Sequence, residues 1–409
     1  MIKNQNIALF GYGKTTKAIA NYLGNNCIFF DDNIKEIKVD EFGNKIKPSH
    51  TFNPNEFTLE VATPSMHPNS YLVKSAKHLI SEYDLFLGNY LNKEKKPLNI
   101  WISGTNGKTT TTQMLTHLLK QKKAQSGGNI GTPLAQLNPK APIWILETSS
   151  FTLHHTNKVK PDIYLLLPIT PDHLDWHGSK EEYIKDKLKP LSLMQEGELA
   201  LIPKGLPIPK TSAWVIEYET NKELANRFDI DISKIKFKGA FLLDSLFALI
   251  TTKVLYDEVN YNLINRFQVD AHRQEELKDS KNRLWINDSK ATNIDATIQA
   301  LKLYKDKKIH LILGGDDKGV DLTELFDYLS KLNITIYAIG SNSQKLINLS
   351  TKYKIDSSSY PTLDEAIESI DKYHNNNSVA ILAPAASSLD QFTSYAQRGE
   401  IFKTKVKSL

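Results

Sequence analysis

The chain has 409 residues, of which 40% are hydrophobic and 24% are charged, and its formal net charge of +5 is spread along its length. This length predicts two or three domains, while the lack of a basic arm or an aromatic–basic stripe argues against a nucleic-acid partner. No apolar run reaches the roughly 20 residues of a membrane helix, the first residues lack a signal-peptide apolar region, and the single cysteine, Cys27, excludes internal disulfides, so we expect a cytoplasmic protein without a membrane partner.

The chain begins with the pattern of a nucleotide-binding strand–turn–helix unit. Asn6–Phe10 is a short apolar strand, Gly11-Tyr-Gly13 is a tight turn before a helix, and Cys27–Phe30 is a second strand that ends at Asp31-Asp32. An acid about 20 residues after the glycines is typical of Rossmann-like domains. Thr16 stands where a dinucleotide site has its third glycine, so a dinucleotide is one candidate ligand, and a single nucleotide or a nucleotide-sugar suits this short block better.

A glycine-rich turn after the next apolar strand is the most informative motif. The polar stretch Asn89–Pro97 predicts a linker, and the apolar run after it ends in Gly104-Thr-Asn-Gly-Lys-Thr109, before a predicted helix over Thr110–Lys120. Glycines let several N–H groups point at one anion, and the lysine and threonine of such a loop reach phosphates and Mg²⁺. The usual loop has its first glycine two residues earlier, at Ile102 here, so a plain strand-to-helix turn is the alternative to a nucleoside triphosphate site.

Two further apolar strands end where polar residues begin. Trp144–Glu147 and Ile163–Leu167 are apolar enough to be buried parallel strands. Ligands of open α/β sheets lie beyond the carboxyl ends of the strands, so Glu147 and the segment after Leu167, which contains His173, are expected near the phosphate loop. With Thr109 they would form a sparse Mg²⁺ shell with room for phosphate oxygens. A solvated glutamate and an ordinary loop histidine are the alternatives.

The last third of the chain alternates between strands and helices and predicts another parallel, doubly wound sheet. The predicted strands are Leu284–Ile286, Ile309–Leu313, Ile334–Ile339 and Val379–Leu382, and the predicted helices are Asp295–Leu303, Leu322–Lys331, Leu363–Tyr373 and Gly399–Lys407. Small residues, hydroxyls and single lysines follow three strand ends, at Asp288–Asn293, Gly314–Lys318 and Pro384–Phe392. Each is an ordinary turn by itself, but together they suit a ligand that carries a carboxylate.

These motifs together resemble the Mur ligase family, and the resemblance extends over essentially the whole chain. The segments that carry it are Gly104–Thr109, Gly128-Asn-Ile-Gly131, Asp172-His-Leu-Asp175, Asn287–Asn293 and Ser388-Leu-Asp-Gln-Phe392. The resemblance implies an α/β fold of three domains. These are a Rossmann-like UDP-binding domain at 1–91, a central P-loop-type mononucleotide-binding ATPase domain at 92–270, and a C-terminal Rossmann-like domain for the amino acid and ATP at 271–409.

The resemblance also implies a role for each residue of these motifs. ATP would meet Gly104, Thr105, Asn106, Gly107, Lys108, Thr109, Thr110, Arg273, Asp288 and Lys290. Mg²⁺ would be held by Thr109, Glu147, His173 and a carbamylated Lys187. The UDP-linked substrate would meet Thr15, Thr16, Asp31, Asp32 and Asn129, and the amino acid would meet Thr292, Lys318, Ser388 and Tyr395. The implied catalytic residues are Lys108, Glu147, His173 and Lys187.

The implied reaction is the ATP- and Mg²⁺-dependent addition of D-glutamate to UDP-N-acetylmuramoyl-L-alanine through an acyl phosphate, a cytoplasmic step of peptidoglycan precursor synthesis. The partners would be these small molecules, and we expect a monomer. Lys187 is preferred over its neighbours Lys185 and Lys189 because it alone matches Y-x-x-x-K from Tyr183.

Some positions depart from the family, and rival interpretations stay open. The segment with which the family touches adenine reads Gly239–Leu246 here, without the family's asparagines, so the adenine contacts are unassigned. Trp176 replaces a frequent arginine. The nearest rival, folylpolyglutamate synthase, shares the central chemistry but lacks a UDP domain. Two rivals belong to different functional classes: a dinucleotide-dependent oxidoreductase, based on Gly11-Tyr-Gly13, and a non-catalytic nucleotide-binding module.

Overall fold

The computed structural model describes residues 6–91 and 96–409, and it contains three six-stranded β-sheets that alternate with helices. The first two sheets belong to one compact unit, which extends to Phe237 and includes Phe241–Phe267; the third belongs to a second unit of Lys238–Ala240 and Gln268–Leu409. The predicted α/β class is confirmed. Residues 92–95 of the predicted linker lie outside the described residues. Within those residues, no helix combines the length and apolarity needed to cross a bilayer.

The first sheet places the Gly11 turn at a switch point of its topology. Its strands are β1 (Ile7–Phe10), β2 (Ile28–Asp31), β3 (Lys38–Val39), β4 (Lys45–Pro48), β5 (Leu59–Ala62) and β6 (Leu79–Ile80), and its helices are α1 (Lys14–Tyr22), α2 (Tyr71–Ser75) and α3 (Glu82–Leu87). The spatial order is β3-β4-β2-β1-β5-β6, and only β3 and β4 pair antiparallel. Because β2 and β5 flank β1 on opposite sides, a ligand crevice is expected at the carboxyl end of β1.

The second sheet is entirely parallel and brings three predicted site segments together. Its strands are β7 (Leu98–Ser103), β8 (Gln125–Gly128), β9 (Ile143–Glu147), β10 (Ile163–Leu166), β11 (Leu199–Pro203) and β12 (Trp214–Tyr218). Its helices are α4 (Lys108–Leu118), α5 (Ser150–His155), α6 (Leu174–His177), α7 (Lys180–Leu188), α8 (Asn221–Arg227), α9 (Ala240–Tyr256) and α10 (Tyr261–Arg266). The order is β12-β11-β10-β7-β9-β8, and Ile102 pairs with Glu147 while Ser103 pairs with Leu166. The carboxyl ends of β7, β9 and β10 are therefore neighbours.

The third sheet is parallel except at one edge. Its strands are β13 (Glu275–Lys278), β14 (Leu284–Asn287), β15 (Lys308–Leu313), β16 (Ile334–Ala338), β17 (Asp356–Ser359) and β18 (Ser378–Leu382), and its helices are α11 (Ile294–Lys302), α12 (Thr323–Leu329), α13 (Ser343–Tyr353), α14 (Leu363–Asp371) and α15 (Tyr395–Lys407). The order is β13-β14-β18-β15-β16-β17. The predicted parallel sheet is correct except that β13 runs antiparallel to β14, where its residues alternate between half-buried and exposed, as an edge strand allows.

The last helix begins earlier than the sequence pattern indicated. The predicted helix started at Gly399, whereas α15 starts at Tyr395. The hydroxyl of Ser394 accepts a hydrogen bond from the N–H of Gln397 at 3.2 Å and caps the helix. The extra turn brings Tyr395 and Arg398 into the helix.

Two buried histidines lie close together in the second compact unit. The rings of His310, in β15, and His374, after α14, are 5.7 Å apart between centroids and are only 3% and 5% exposed. Burial, followed by repulsion from His374 when that ring is protonated, lowers the pKa of His310 to about 4. Burial and the charge of Arg283 likewise lower the pKa of His374 to about 4. Both rings are therefore neutral in the folded protein at pH 7.

We expect the stability of this unit to fall as the pH drops from about 6.5 to about 4, because the unfolded chain binds protons at the ordinary histidine pKa while the folded chain does not. His310→Phe keeps the ring shape and removes one titrating group. It should reduce the loss of unfolding free energy across this window by up to about 3 kcal/mol, measured by urea unfolding at several pH values. The exposed His78→Gln serves as the control. An unchanged pH dependence in His310→Phe would contradict the assignment.

Candidate active site

The phosphate loop between β7 and α4 is shaped by two glycines with positive φ. Gly104 has φ +139° and Gly107 has φ +83°. A Cβ atom on Gly104 would lie 2.5 Å from the Cβ atom of Leu167, and one on Gly107 would lie 2.7 Å from Oδ1 of Asp244, so neither position has room for a side chain. Gly107 also caps the N-terminus of α4. This backbone is the kind that binds an anion at the start of a helix.

The side chains of Lys108, Thr105 and Tyr183 make polar contacts within and around this loop. Lys108 Nζ donates to the carbonyls of Gly104 at 3.0 Å and Thr105 at 2.7 Å. The Thr105 hydroxyl donates to the carbonyl of Thr170 at 2.8 Å and lies 2.9 Å from the Tyr183 hydroxyl. The loop is therefore tied to the segment after β10 and to α7, while its lysine lies over the turn.

Lys187 is buried beneath the same loop. It is 1% exposed, and its Nζ donates to the carbonyl of Gly104 at 2.9 Å and to Ser103 Oγ at 3.3 Å. Burial, followed by the nearby charge of Lys108, holds the pKa of its amine well below the ordinary lysine value. Lys185, one of the two neighbouring lysines, instead pairs with Glu182 in solvent. An amine with a lowered pKa is neutral more often and can react with CO₂.

Glu147 is held at the end of β9 by hydrogen bonds that use only one of its two carboxylate oxygens. Its Oε1 accepts a hydrogen bond from Asn129 Nδ2 at 2.7 Å, and its backbone carbonyl accepts from the N–H of Asn129 at 2.8 Å. The same carbonyl accepts from the Tyr83 hydroxyl at 3.2 Å, and that hydroxyl also lies 3.1 Å from Thr148 Oγ1. Within the described ranges, Glu147 Oε2 is buried without a hydrogen-bond partner.

A bound cation would stabilise this buried oxygen, for which the described residues provide no hydrogen-bond donor. A carboxylate oxygen removed from water is costly unless it is paired or coordinated. No three His, Cys, Asp or Glu side chains cluster as a metal site in the described parts of the chain, so the chain offers only a few ligands. This agrees with Mg²⁺, which takes hard oxygen ligands and commonly completes its shell with water and substrate phosphates.

His173 is the N-cap residue immediately before α6, and the charges of Lys108 and Lys187 act on it. Its φ is +54°, its side chain is 51% exposed, and its Nε2 lies 3.6 Å from Asp172 Oδ2. Partial burial lowers its pKa, the charge of Asp172 opposes that shift, and the charges of Lys108 and Lys187 add to it. The pKa of His173 therefore depends on the charge state of both lysines.

A cluster of aromatic and polar side chains fixes α6. Trp176 Nε1 donates to the carbonyl of Ser65 at 3.2 Å, and its ring centroid lies 4.6 Å from that of Phe151. His177 Nδ1 lies 2.9 Å from Asp186 Oδ2, which joins α6 to α7. Trp176, noted in the sequence only as a departure from the family, thus connects the first sheet to the helix that His173 begins.

The residues predicted for the UDP-linked substrate lie around the crevice of the first sheet: Thr15, Thr16, Asp31 and Asp32. Asp31 Oδ2 accepts from the N–H of Tyr12 at 2.7 Å. The buried hydroxyl of Thr16 donates to a carbonyl of the turn at 2.6 Å, so it shapes the loop. Lys14 Nζ donates to the carbonyl of Gly131, just beyond Asn129, and so joins this crevice to the second sheet.

The third sheet gathers the remaining predicted residues beside its strand ends: Arg273, Asp288, Lys290, Thr292, Lys318, Ser388 and Tyr395. Burial raises the pKa of Asp288 to about 7. Lys290 Nζ lies 4.1 Å from the ring centroid of Tyr395. Thr292 and Lys318 are exposed. These residues belong to a different compact unit from the phosphate loop.

Sequence reasoning missed Asp244 as a residue that packs beside the phosphate loop. It lies in α9, is 1% exposed, and its Oδ1 accepts from the Thr111 hydroxyl at 2.9 Å. The signal that could have found it is a lone acid in the apolar run Phe241–Ile250, because a buried carboxylate is rarely retained without a partner.

Comparisons with known proteins agree with this architecture. The Mur ligase middle domain matches residues 102–269, and the Mur ligase, glutamate ligase domain matches residues 272–386. The MurF ligase from Thermotoga maritima in complex with ADP aligns with a TM-score of 0.58 and 16% identity, over 93% of this chain and 95% of that one. E. coli FolC in complex with DHPP and ADP aligns with a TM-score of 0.54 and 15% identity, over 76% of this chain and 88% of that one. At these identities, both show a shared fold only.

Sequence relatives carry the assignment further. The UDP-N-acetylmuramoylalanine–D-glutamate ligase of Campylobacter jejuni subsp. jejuni serotype O:23/36 (strain 81-176) is 50% identical over 406 residues, 98% of this chain and 100% of that protein. The ligase of the same name from Helicobacter pylori (strain HPAG1) is 45% identical over 418 residues, 98% of this chain and 99% of that protein. The predicted family and the predicted enzyme class, a ligase, are confirmed. With half of its positions shared with such a relative over nearly the whole of both chains, this chain belongs to the Mur ligase family.

Proposed function

We propose that this Mur ligase adds D-glutamate to UDP-N-acetylmuramoyl-L-alanine at the expense of ATP, as a step in peptidoglycan precursor synthesis for the cell wall. The observation that carries the proposal is the convergence of Lys108, Glu147 and Lys187 at neighbouring strand ends of the second sheet, around one anion-binding loop. The name of the two full-length relatives supports this pair of substrates.

The proposed chemistry activates a carboxylate that would otherwise resist amide formation. The substrate carboxylate attacks the γ-phosphorus of ATP, ADP leaves, and an acyl phosphate forms. The amine of D-glutamate then attacks the acyl carbon, loses a proton, and expels inorganic phosphate. Lys108 and the loop Gly104–Gly107 are suited to neutralise and orient the transferring phosphoryl group.

The residues that would hold Mg²⁺ are Thr109, Glu147, His173 and the carbamate of Lys187, and bound Mg²⁺ would supply charge neutralisation at the phosphate oxygens. Asn129 orients Glu147 through its amide, which leaves the second carboxylate oxygen available. The lowered pKa of Lys187 supports carbamylation, because the neutral amine is the form that adds to CO₂.

The other substrates would bind outside this cluster. We propose that Thr15, Thr16, Asp31, Asp32 and Asn129 serve the UDP-linked substrate, that Arg273, Asp288 and Lys290 serve ATP, and that Thr292, Lys318, Ser388 and Tyr395 serve D-glutamate. Their positions beside strand ends support these roles.

We also propose domains at 1–91, 92–270 and 271–409, supported by the three separate sheets, and a monomer that acts in the cytoplasm. The free, half-buried thiol of Cys27, whose pKa burial raises to about 11, is compatible with a reducing compartment.

A substrate survey tests the proposal. With ATP, Mg²⁺ and UDP-N-acetylmuramoyl-L-alanine, phosphate release should require D-glutamate and should be negligible with L-glutamate, D-alanine or meso-diaminopimelate. Lys108→Ala should abolish release, which controls for contaminating ATPases. Turnover with a different amino acid, or with none, would refute the proposed substrate.

Lys187→Ala should lower turnover by roughly 100-fold, because it removes the group that would complete the metal shell. Formate or acetate should partly restore activity, since a short carboxylate can enter the space that the side chain leaves. Lys185→Ala, on the exposed side of the same helix, is the matched control and should remain active. Full activity in Lys187→Ala would show that the carbamate is assigned to the wrong lysine.

Tyr83→Phe should raise the Mg²⁺ concentration needed for half-maximal activity by roughly three- to tenfold, because it removes the hydroxyl that holds the Glu147 carbonyl. The ring is retained, so the fold should persist. Tyr337→Phe removes a buried hydroxyl that bonds His310 in the other unit and is the control. If Tyr83→Phe and Tyr337→Phe need the same Mg²⁺ concentration for half-maximal activity, this role of Tyr83 is ruled out.

A further inference from the structure

Arg398, in α15, is a fully buried cation that none of the proposed catalytic steps uses. It is 0% exposed. Its Nε donates to Ser289 Oγ at 3.0 Å, and its Nη2 donates to the carbonyls of Ser289 at 3.0 Å and Ala386 at 3.2 Å. These acceptors are neutral. Burial lowers its pKa to about 10, and the charge of Asp390 opposes that shift, so the guanidinium remains charged at pH 7.

Such a charge is costly to bury, because desolvation is only partly offset by neutral acceptors. An apolar side chain of similar length would fill the same volume at lower cost. What an apolar residue cannot do is hydrogen-bond two separate loops at once. The planar, multidonor guanidinium does this with little conformational freedom.

The two loops that Arg398 joins follow neighbouring strands. Ser289 lies in the turn after β14 and Ala386 in the turn after β18, and these strands pair in the sheet. The first turn also contains Asp288 and Lys290, and the second leads to the buried Ser388. Arg398 therefore links a turn proposed to bind ATP to a turn proposed to bind the amino acid.

Ser289 extends the connection to the start of α15. Its hydroxyl accepts from Arg398 and donates to the carbonyl of Tyr395 at 2.8 Å. The ring of Tyr395 in turn lies 4.1 Å from Lys290 Nζ. One guanidinium is thus hydrogen-bonded to the turn that contains Lys290, to the turn that leads to Ser388 and, through Ser289, to the backbone of Tyr395.

We propose that Arg398 is a positioning residue that fixes the ATP-binding and D-glutamate-binding turns of the third sheet relative to each other. It acts through its hydrogen bonds to Ser289 and Ala386. The inference rests on the proposed function, because it takes the substrates of these turns from there. It predicts that the affinities for ATP and for D-glutamate depend together on Arg398, whereas the affinity for the UDP-linked substrate does not.

Steady-state kinetics of the full-length enzyme test this coupling. Arg398→Met keeps the length of the side chain and removes every donor. It should raise the KM values for ATP and D-glutamate about tenfold each, equivalent to ~1.4 kcal/mol, with the KM for UDP-N-acetylmuramoyl-L-alanine unchanged. Arg398→Lys retains a charge and some of the hydrogen bonds, so it should fall between Met and wild type.

Arg283→Met provides a matched control. Arg283 is also buried and precedes β14, at the opposite end of the strand from Ser289. It pairs with Asp279 at 2.6 Å and with Asp371. Its loss should lower the unfolding temperature and leave all three KM values unchanged.

Ser289→Ala is a smaller change that keeps the test decisive if Arg398→Met does not fold. It removes the hydroxyl between Arg398 and Tyr395 and should raise the KM values for ATP and D-glutamate by about threefold, the effect of one modest hydrogen bond. Unchanged KM values in Ser289→Ala and Arg398→Lys, or an equal rise for all three substrates, would overturn the positioning role. Absence of D-glutamate turnover in the wild-type enzyme would instead refute the proposed function.

Discussion

The burial of the Lys187 amine against the carbonyl of Gly104 is the interaction on which the site in the second sheet depends. It places a titratable nitrogen directly under the glycine-rich loop between β7 and α4. The Tyr164 hydroxyl donates to the backbone carbonyl of Lys187 at 2.6 Å, and the Tyr183 hydroxyl meets Thr105. The helix α7, the strand β10 and the loop are therefore fixed to one another around this nitrogen, and any rotation of α7 would move it.

The close backbone approach at Gly104 explains why the loop departs from the usual glycine spacing. Ile102, where the general pattern has its first glycine, is fully buried in β7 and pairs with Glu147 in β9. A glycine at position 102 would remove a buried core side chain, and no described backbone segment approaches closely enough there to require one. The tight contact occurs two residues later, where Gly104 meets Leu167 at the end of β10. The spacing thus follows from where β7 stops and the neighbouring chain passes.

The sequence predicted what depends on local patterns and missed what depends on distant contacts. Strands such as Ile309–Leu313 are continuous apolar runs, and Gly104–Thr109 is a short glycine-rich motif, so the strand and the turn before α4 were both predicted correctly. Tyr83 touches Glu147, 64 positions away, and Asp244 touches Thr111, 133 positions away. No local period or motif indicates such pairs. The start of α15 was predicted four residues too late, and the structure shows that Ser394 caps the helix by accepting a hydrogen bond from the N–H of Gln397.

Lys187 and Arg398 are both buried, but burial has a different consequence for the charge of each. Lys187 has a pKa held well below its ordinary value by burial and by the nearby charge of Lys108, which favours the neutral amine that the proposed carbamate requires. Arg398 keeps a pKa of about 10 despite full burial, so it stays charged and acts only through hydrogen bonds. A lysine at position 398 could not satisfy both turns with the same rigid geometry, and an arginine at position 187 could not form the carbamate proposed there. The choice of cation therefore matches the reactivity proposed for position 187 and the positioning role proposed for position 398.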